Sequence, residues 1–439
     1  MSRILGRVRH HLPRHYTAAV SRFSLFSTMS APRPNSEPAS EAYKPRYIDL
    51  VKIGINLADP IFRGKHHGTQ RHPDDLKDVI SRAKEVGCTK LIVTGSDFTS
   101  ARDALELAKE FRRQSHAELV HVAGTCFGTA GIHPCSSAIF CKGGHGRHEE
   151  HVAPCEPEDP ESTEHRGEPD SETSAKVIAE FKTLLADATA SSKHHLVALG
   201  EFGLDYDRLN FCSKAAQLHS FEAQLKIAAS LQPQLPLFLH SRAAHRDFVD
   251  LLKGAFGDKL ERLEKGGVVH SFTGTIEEMK ELMDLGLHIG VNGCSLKTEE
   301  NLTMVKEITL DRIMLETDGP WCEVRPSHAG YQYLIEKKPE PEQPVTNGEP
   351  QPADAAAQQQ TRRPKKQKNQ KKEPDVPDRF KVVKKEKWEQ GAMIKGRNEP
   401  CTIERVAKIV AAVKGVSVEE LCEASWRNTV SVFGLGEAN

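Results

Sequence analysis

The sequence predicts an α/β protein, a (β/α)8 TIM barrel carrying two low-complexity insertions. Three observations predict it: eight short runs rich in Ile, Val and Leu recur along the chain, most are separated by amphipathic stretches of helical period, and no Gly-rich dinucleotide turn follows the first run. Alternating strands and helices call for a parallel sheet, and eight such units close a barrel.

The runs lie at residues 47–56, 90–94, 121–131, 196–201, 235–240, 267–270, 287–292 and 312–317. Helical period marks 74–86, 213–229, 243–256 and 276–285 between them. The barrel is therefore expected over residues 46–336 and 379–436. Residues 1–45 form a leader, and up to Ser36 it holds six arginines, several serines and no Asp or Glu. That is the composition of a mitochondrial transit peptide, with a disordered tail as the alternative. Initiation at Met29 would remove most of it and leave the product in the cytoplasm or nucleus. Secretion is not expected.

Residues 135–173 are rich in Gly, Pro, Glu and His, and 337–378 in Pro, Gln, Ala and Lys; both read as solvated insertions. The first contains His145, His148 and His151 between Cys141 and Cys155, a zinc-binding composition with irregular spacing that an inert loop explains as well. The second ends in seven Lys/Arg between Arg362 and Lys372, readable as a DNA tether, a nuclear localisation signal or a solubilising linker.

With 60 Lys+Arg against 61 Asp+Glu the chain is no uniformly basic nucleic-acid coat. No apolar run is long enough for a membrane helix. Ten scattered cysteines without a C-x-x-C pair fit a reducing compartment, and no disulfide partner is expected.

In a barrel of this class chemistry lies at the carboxyl ends of the strands. Those ends carry Asn56, Thr94, His133, Glu201, His240, His270, Asn292 and Asp318. A histidine closing one apolar strand is an ordinary core residue. Imidazoles and carboxylates at the same end of several strands are harder to explain by packing. Buried acids need a partner, and a metal ion supplies one. Zinc or manganese would suit the nitrogens, and magnesium the oxygens when phosphate completes the shell. Such an ion activates water, so hydrolysis is the natural chemistry.

Several longer segments carry a resemblance. Gly200-Glu201-Phe202-Gly203-Leu204-Asp205-Tyr206, His240-Ser241-Arg242, His270-Ser271-Phe272-Thr273-Gly274, Glu316-Thr317-Asp318-Gly319-Pro320-Trp321 and Arg397-Asn398-Glu399-Pro400 are similar to the signature segments of the TatD family of metal-dependent deoxyribonucleases, here most like its eukaryotic branch. The resemblance implies that Glu201, His240, His270 and Asp318 are metal ligands for one or two divalent ions, Mg²⁺ being expected and Mn²⁺ or Zn²⁺ the alternatives. It implies Glu201 and Asp318 as the catalytic carboxylates. It also implies DNA as substrate, with RNA as a further candidate, and 3′ to 5′ exonuclease or endonuclease action in DNA repair or fragmentation.

Arg242 is a candidate phosphate fork, with a loop salt bridge as the equal alternative; His133, His245 and Asn56 are weaker substrate-binding candidates, and a structural role explains His133 and His245 as well. Many relatives carry His-x-His where this chain has Gly54-Ile55-Asn56, which weakens the expectation of a second tightly held ion. Two alternatives stand beside the nuclease: a metallohydrolase of the same barrel acting on an amide or aminoacyl ester, and a non-catalytic nucleic-acid-binding module.

Overall fold

The computed structural model describes residues 50–113, 126–144, 167–190, 195–335 and 376–436. Eight parallel strands follow one another in chain order: β1 Leu50–Ile55, β2 Cys88–Val93, β3 Cys126–Ala130, β4 Leu196–Asp205, β5 Leu237–Arg242, β6 Gly267–Val269, β7 His288–Val291 and β8 Ile313–Leu315. A parallel bridge between Ile53 and Glu316 brings the last strand back to the first. The expected TIM barrel is the observed fold.

The strands are buried on both faces, as all ten residues of β4 illustrate. One set of side chains, Ile53, Ile92, Phe127, Val197, Phe238, Val268 and Met314, packs inside the barrel. Leu91, Leu199, Leu239, Val269, Ile289 and Leu315 belong to the larger core beneath the helices. Two-residue alternation thus places both cores on the same strands.

The helices are α1 Leu76–Glu85, α2 Phe98–Arg113, α3 Ser171–Thr189, α4 Lys214–Ser230, α5 His245–Phe256, α6 Ile276–Asp284, α7 Glu299–Glu307, α8 Ile403–Lys414 and α9 Val418–Phe433. Their starts are written in sequence: Thr275 and Glu278 form a reciprocal capping box on α6, and Ser213 and Ser417 cap α4 and α9. Helix α9 packs on both β1 and β8, covering the seam. Phe433 and Leu435 at its end join the barrel-interior cluster.

The first insertion is narrower than its composition suggests. Pro134–Phe140 forms a buried 3-10 helix, Cys141 bridges to Pro169, and Asp170 caps α3. Phe140 and Ile139 supply the reason, because they pack with Val177 and Ala223 in a small core that the surrounding Gly, Pro and Glu conceal in a window average. At the far end of the second insertion, Val376 packs against the main core and Asp378 accepts from Arg405.

The leader, the His-rich stretch at 145–166 and the basic cluster lie outside the described residues. Among the described residues no helix is long and apolar enough to cross a membrane, and the cysteines are buried and outside any disulfide.

Candidate metal centre

The strand ends converge where the barrel register predicts. Glu201 Oε1 lies 3.0 Å from His240 Nδ1 and 2.6 Å from His270 Nε2, and those two ring nitrogens are 3.3 Å apart. His133 Nε2 stands 3.3 Å from the same carboxylate oxygen. Donor atoms of His133, Glu201 and His240 all fall within 4.8 Å of one another, so His133, a weaker candidate from sequence, sits with the principal ones.

Behind each of two imidazoles is a carboxylate that the sequence reading did not single out. His240 Nε2 is 3.0 Å from Asp205 Oδ2, and His270 Nδ1 is 3.2 Å from Glu316 Oε2. A ring nitrogen that donates its proton to a carboxylate leaves the opposite nitrogen as a lone pair. Asp205 thereby directs Nδ1 of His240 inward, and Glu316 directs Nε2 of His270.

The place for Glu316 is made by glycines. A Cβ at Gly290 would lie 1.8 Å from its Oε1, and one at Gly54, where φ is +63°, would lie 2.8 Å from its Oε2. Its Oε1 also accepts from the backbone N–H of Ser271 at 2.8 Å.

Glu201, Asp205, Glu316 and Asp318 are 6%, 1%, 0% and 5% exposed, more buried negative charge than the neighbouring neutral imidazoles can balance. The titration directions express this imbalance. Burial pushes Glu201 up, yet His270 and His133 outweigh it and hold the carboxyl well below its ordinary value. Burial pushes His270 down, but Glu201 and Glu316 raise its pKa well above that of a free imidazole. His240 is likewise raised, burial being outweighed by its bonds to Asp205 and Glu201, whereas in His133 burial prevails and lowers the pKa. A cavity that draws protons onto its histidines this way is one that favours a cation. The mixed oxygen and nitrogen donor set fits a divalent metal.

Asp318 lines the same cavity but stands on a separate support. Its Oδ1 accepts from Asn56 Nδ2 at 3.3 Å, and its Oδ2 lies 3.1 Å from Cys322 Sγ. Its backbone is left-handed, φ +51°, and its N–H donates to Gly54 O at 3.0 Å. Asn398 fastens the turn that carries it, Nδ2 donating to Thr317 O at 2.7 Å and to Trp321 O at 2.6 Å. Held non-glycine residues at positive φ mark a site over-determined by its surroundings.

Arg242 lines the cavity, with Nη1 3.6 Å from Asp205 Oδ2, and Arg208 lines it too. His245 does not. It opens α5, and its Nε2 is 3.0 Å from Glu281 on α6, a helix-to-helix tie. The cavity these residues line is small, about 80 Å³, and partly open to solvent.

Comparison with known proteins gives one answer. The family model described as TatD related DNase matches residues 65–434. A deoxyribonuclease Tat-D from Schizosaccharomyces pombe is 40% identical over 387 residues, covering 88% of this chain and 96% of that protein. A 3′-5′ ssDNA/RNA exonuclease TatD from Erwinia amylovora is 28% identical, covering 88% of this chain and 100% of its own. Among solved structures, an uncharacterized amidohydrolase from Saccharomyces cerevisiae superposes with a TM-score of 0.66 at 30% identity, covering 88% of this chain and 100% of that one.

Proposed function

The chain belongs to the TatD related DNase family, and from that premise we propose that it is a divalent-cation-dependent deoxyribonuclease releasing nucleotides in the 3′ to 5′ direction. The observation that carries the reading is the meeting of Glu201, His240 and His270 on one point, with Asp205 and Glu316 turning the two rings toward it. Glu201, His240 and His270 would hold the ion, with His133 beside them and Asp318 facing the same cavity. A divalent cation there supplies Lewis acidity and offsets phosphate charge.

The chain's own groups do the rest. Asp318, steadied by Asn56, accepts a proton from the attacking water. Arg242 and Arg208 bind phosphate oxygens by their planar forks. Burial of the four carboxylates keeps bulk water from screening these charges. The 3′ to 5′ direction and a single-stranded substrate are supported by the name of the bacterial relative. Mg²⁺ is the proposed ion because phosphate oxygens join a carboxylate-rich wall, and we assign the activity to trimming ends in repair or DNA fragmentation.

The test is incubation of the full chain with end-labelled DNA in Mg²⁺, Mn²⁺, Zn²⁺ or chelator. Stepwise shortening from the 3′ end with metal and none with chelator is expected. Full activity in chelator would overturn the metal reading. Intact DNA under every ion, with hydrolysis of an amide or aminoacyl ester instead, would overturn the nuclease reading.

A further inference from the structure

Among the described residues lining the catalytic cavity, Trp321 is the only Trp, Tyr or Phe. It is half-buried, and none of the ring contacts among the described residues involves its indole. It stands three residues after Asp318 on the same turn, where its N–H donates to Asp318 O at 3.1 Å. Asn398, 2% exposed, holds that turn from both sides through Thr317 O and Trp321 O, and its own Oδ1 accepts from Thr402 at 2.6 Å. Gly319 lies so close that a Cβ there would be 2.6 Å from Asn398 O. The indole is therefore carried by a rigid support that also fixes a catalytic carboxylate.

We propose that Trp321 stacks on the base of the terminal nucleotide whose phosphodiester is cut, and so selects strand ends with an unpaired base. The inference rests on the nuclease reading above and adds the determinant of its substrate form. Phosphate bound beside Asp318 and Arg242 places the attached nucleoside beside Trp321, which lines the same partly open cavity. Among the described lining residues the indole offers the one broad aromatic face. Stacking is tolerant of sequence because every base has a π face, as a general exonuclease requires. A base in a duplex end is already stacked and paired, and must fray before it can reach Trp321.

The test is a cycle of enzyme against substrate. Wild type and Trp321→Ala are compared by kcat/KM, in the activating cation, on single-stranded oligonucleotides that end either in a normal nucleotide or in an abasic one at the released end. Wild type is expected to lose about 10- to 100-fold on the abasic end, whereas Trp321→Ala is equally slow on both. Trp321→Phe should restore discrimination and Trp321→Leu should not, a contrast that holds even where the alanine variant folds poorly. Wild type cutting both ends equally, or Trp321→Ala retaining the full discrimination, overturns the proposal and leaves the nuclease standing. Wild type cutting neither substrate under any cation overturns the nuclease reading beneath it.

Discussion

The two ends of the barrel are built on the same eight strands and follow opposite rules. At the carboxyl end, carboxylates no more than 6% exposed crowd around imidazoles, and Ser271, Asp318 and Cys322 sit at positive φ. Inside and toward the amino end, Ile53, Phe127, Val197 and Met314 pack with Phe433 and Leu435 from the chain's last helix. Buried like charges and held backbone strain cost stability, whereas apolar burial supplies it. The molecule thus confines its chemistry to one end and lets the other hold it together.

That division breaks or sharpens under mutation. Phe433→Ala should cost about 3–5 kcal/mol in urea unfolding, because a large buried ring is lost from a closed interior. Activity per folded molecule should not change. A fall in kcat with intact stability would join the two ends and sink the separation.

Glu316→Gln keeps an acceptor for Ser271 but weakens the hold on His270, and should reduce metal affinity and activity about 10- to 100-fold. Its urea midpoint should move much less than that of Phe433→Ala. Unaltered Mn²⁺ affinity by calorimetry would remove Glu316 from the centre.

A third test, confined to acid pH, falls on His288 at the amino end of β7. Burial, and then Arg312, lower its pKa from 6.5 to about 4. The unfolded imidazole takes up its proton near pH 6.5 while the folded one resists until about 4, so stability falls as pH drops through that window. His288→Asn should flatten the wild-type slope between those values. Identical slopes by pH-dependent unfolding would remove this contribution.

The local code for the fold lies open in the sequence. Eight β-rich runs, two-residue alternation and capping residues such as Thr275 are properties of neighbours along the chain, and the observed elements follow them. Glu201, His240, His270 and Asp318 were legible for a related reason, since a barrel register assigns strand ends to one rim. Residues 135–141 were misread because a window average hid Phe140 among glycines and prolines. The contact of His245 with Glu281 was not legible, because its partner lies on another helix 36 residues away.

Pattern along the chain decides which segments become strands and which face each residue takes, and with them the position of the acids and histidines. Position does not decide orientation. Asp205 meets His240 across 35 residues, Glu316 meets His270 across 46, and Asn398 reaches Thr317 across 81. No local period encodes those pairings. They arise when the sheet closes and brings distant strand ends within hydrogen-bond reach, and only then is it settled which ring nitrogen faces the centre and how the Asp318 turn is held.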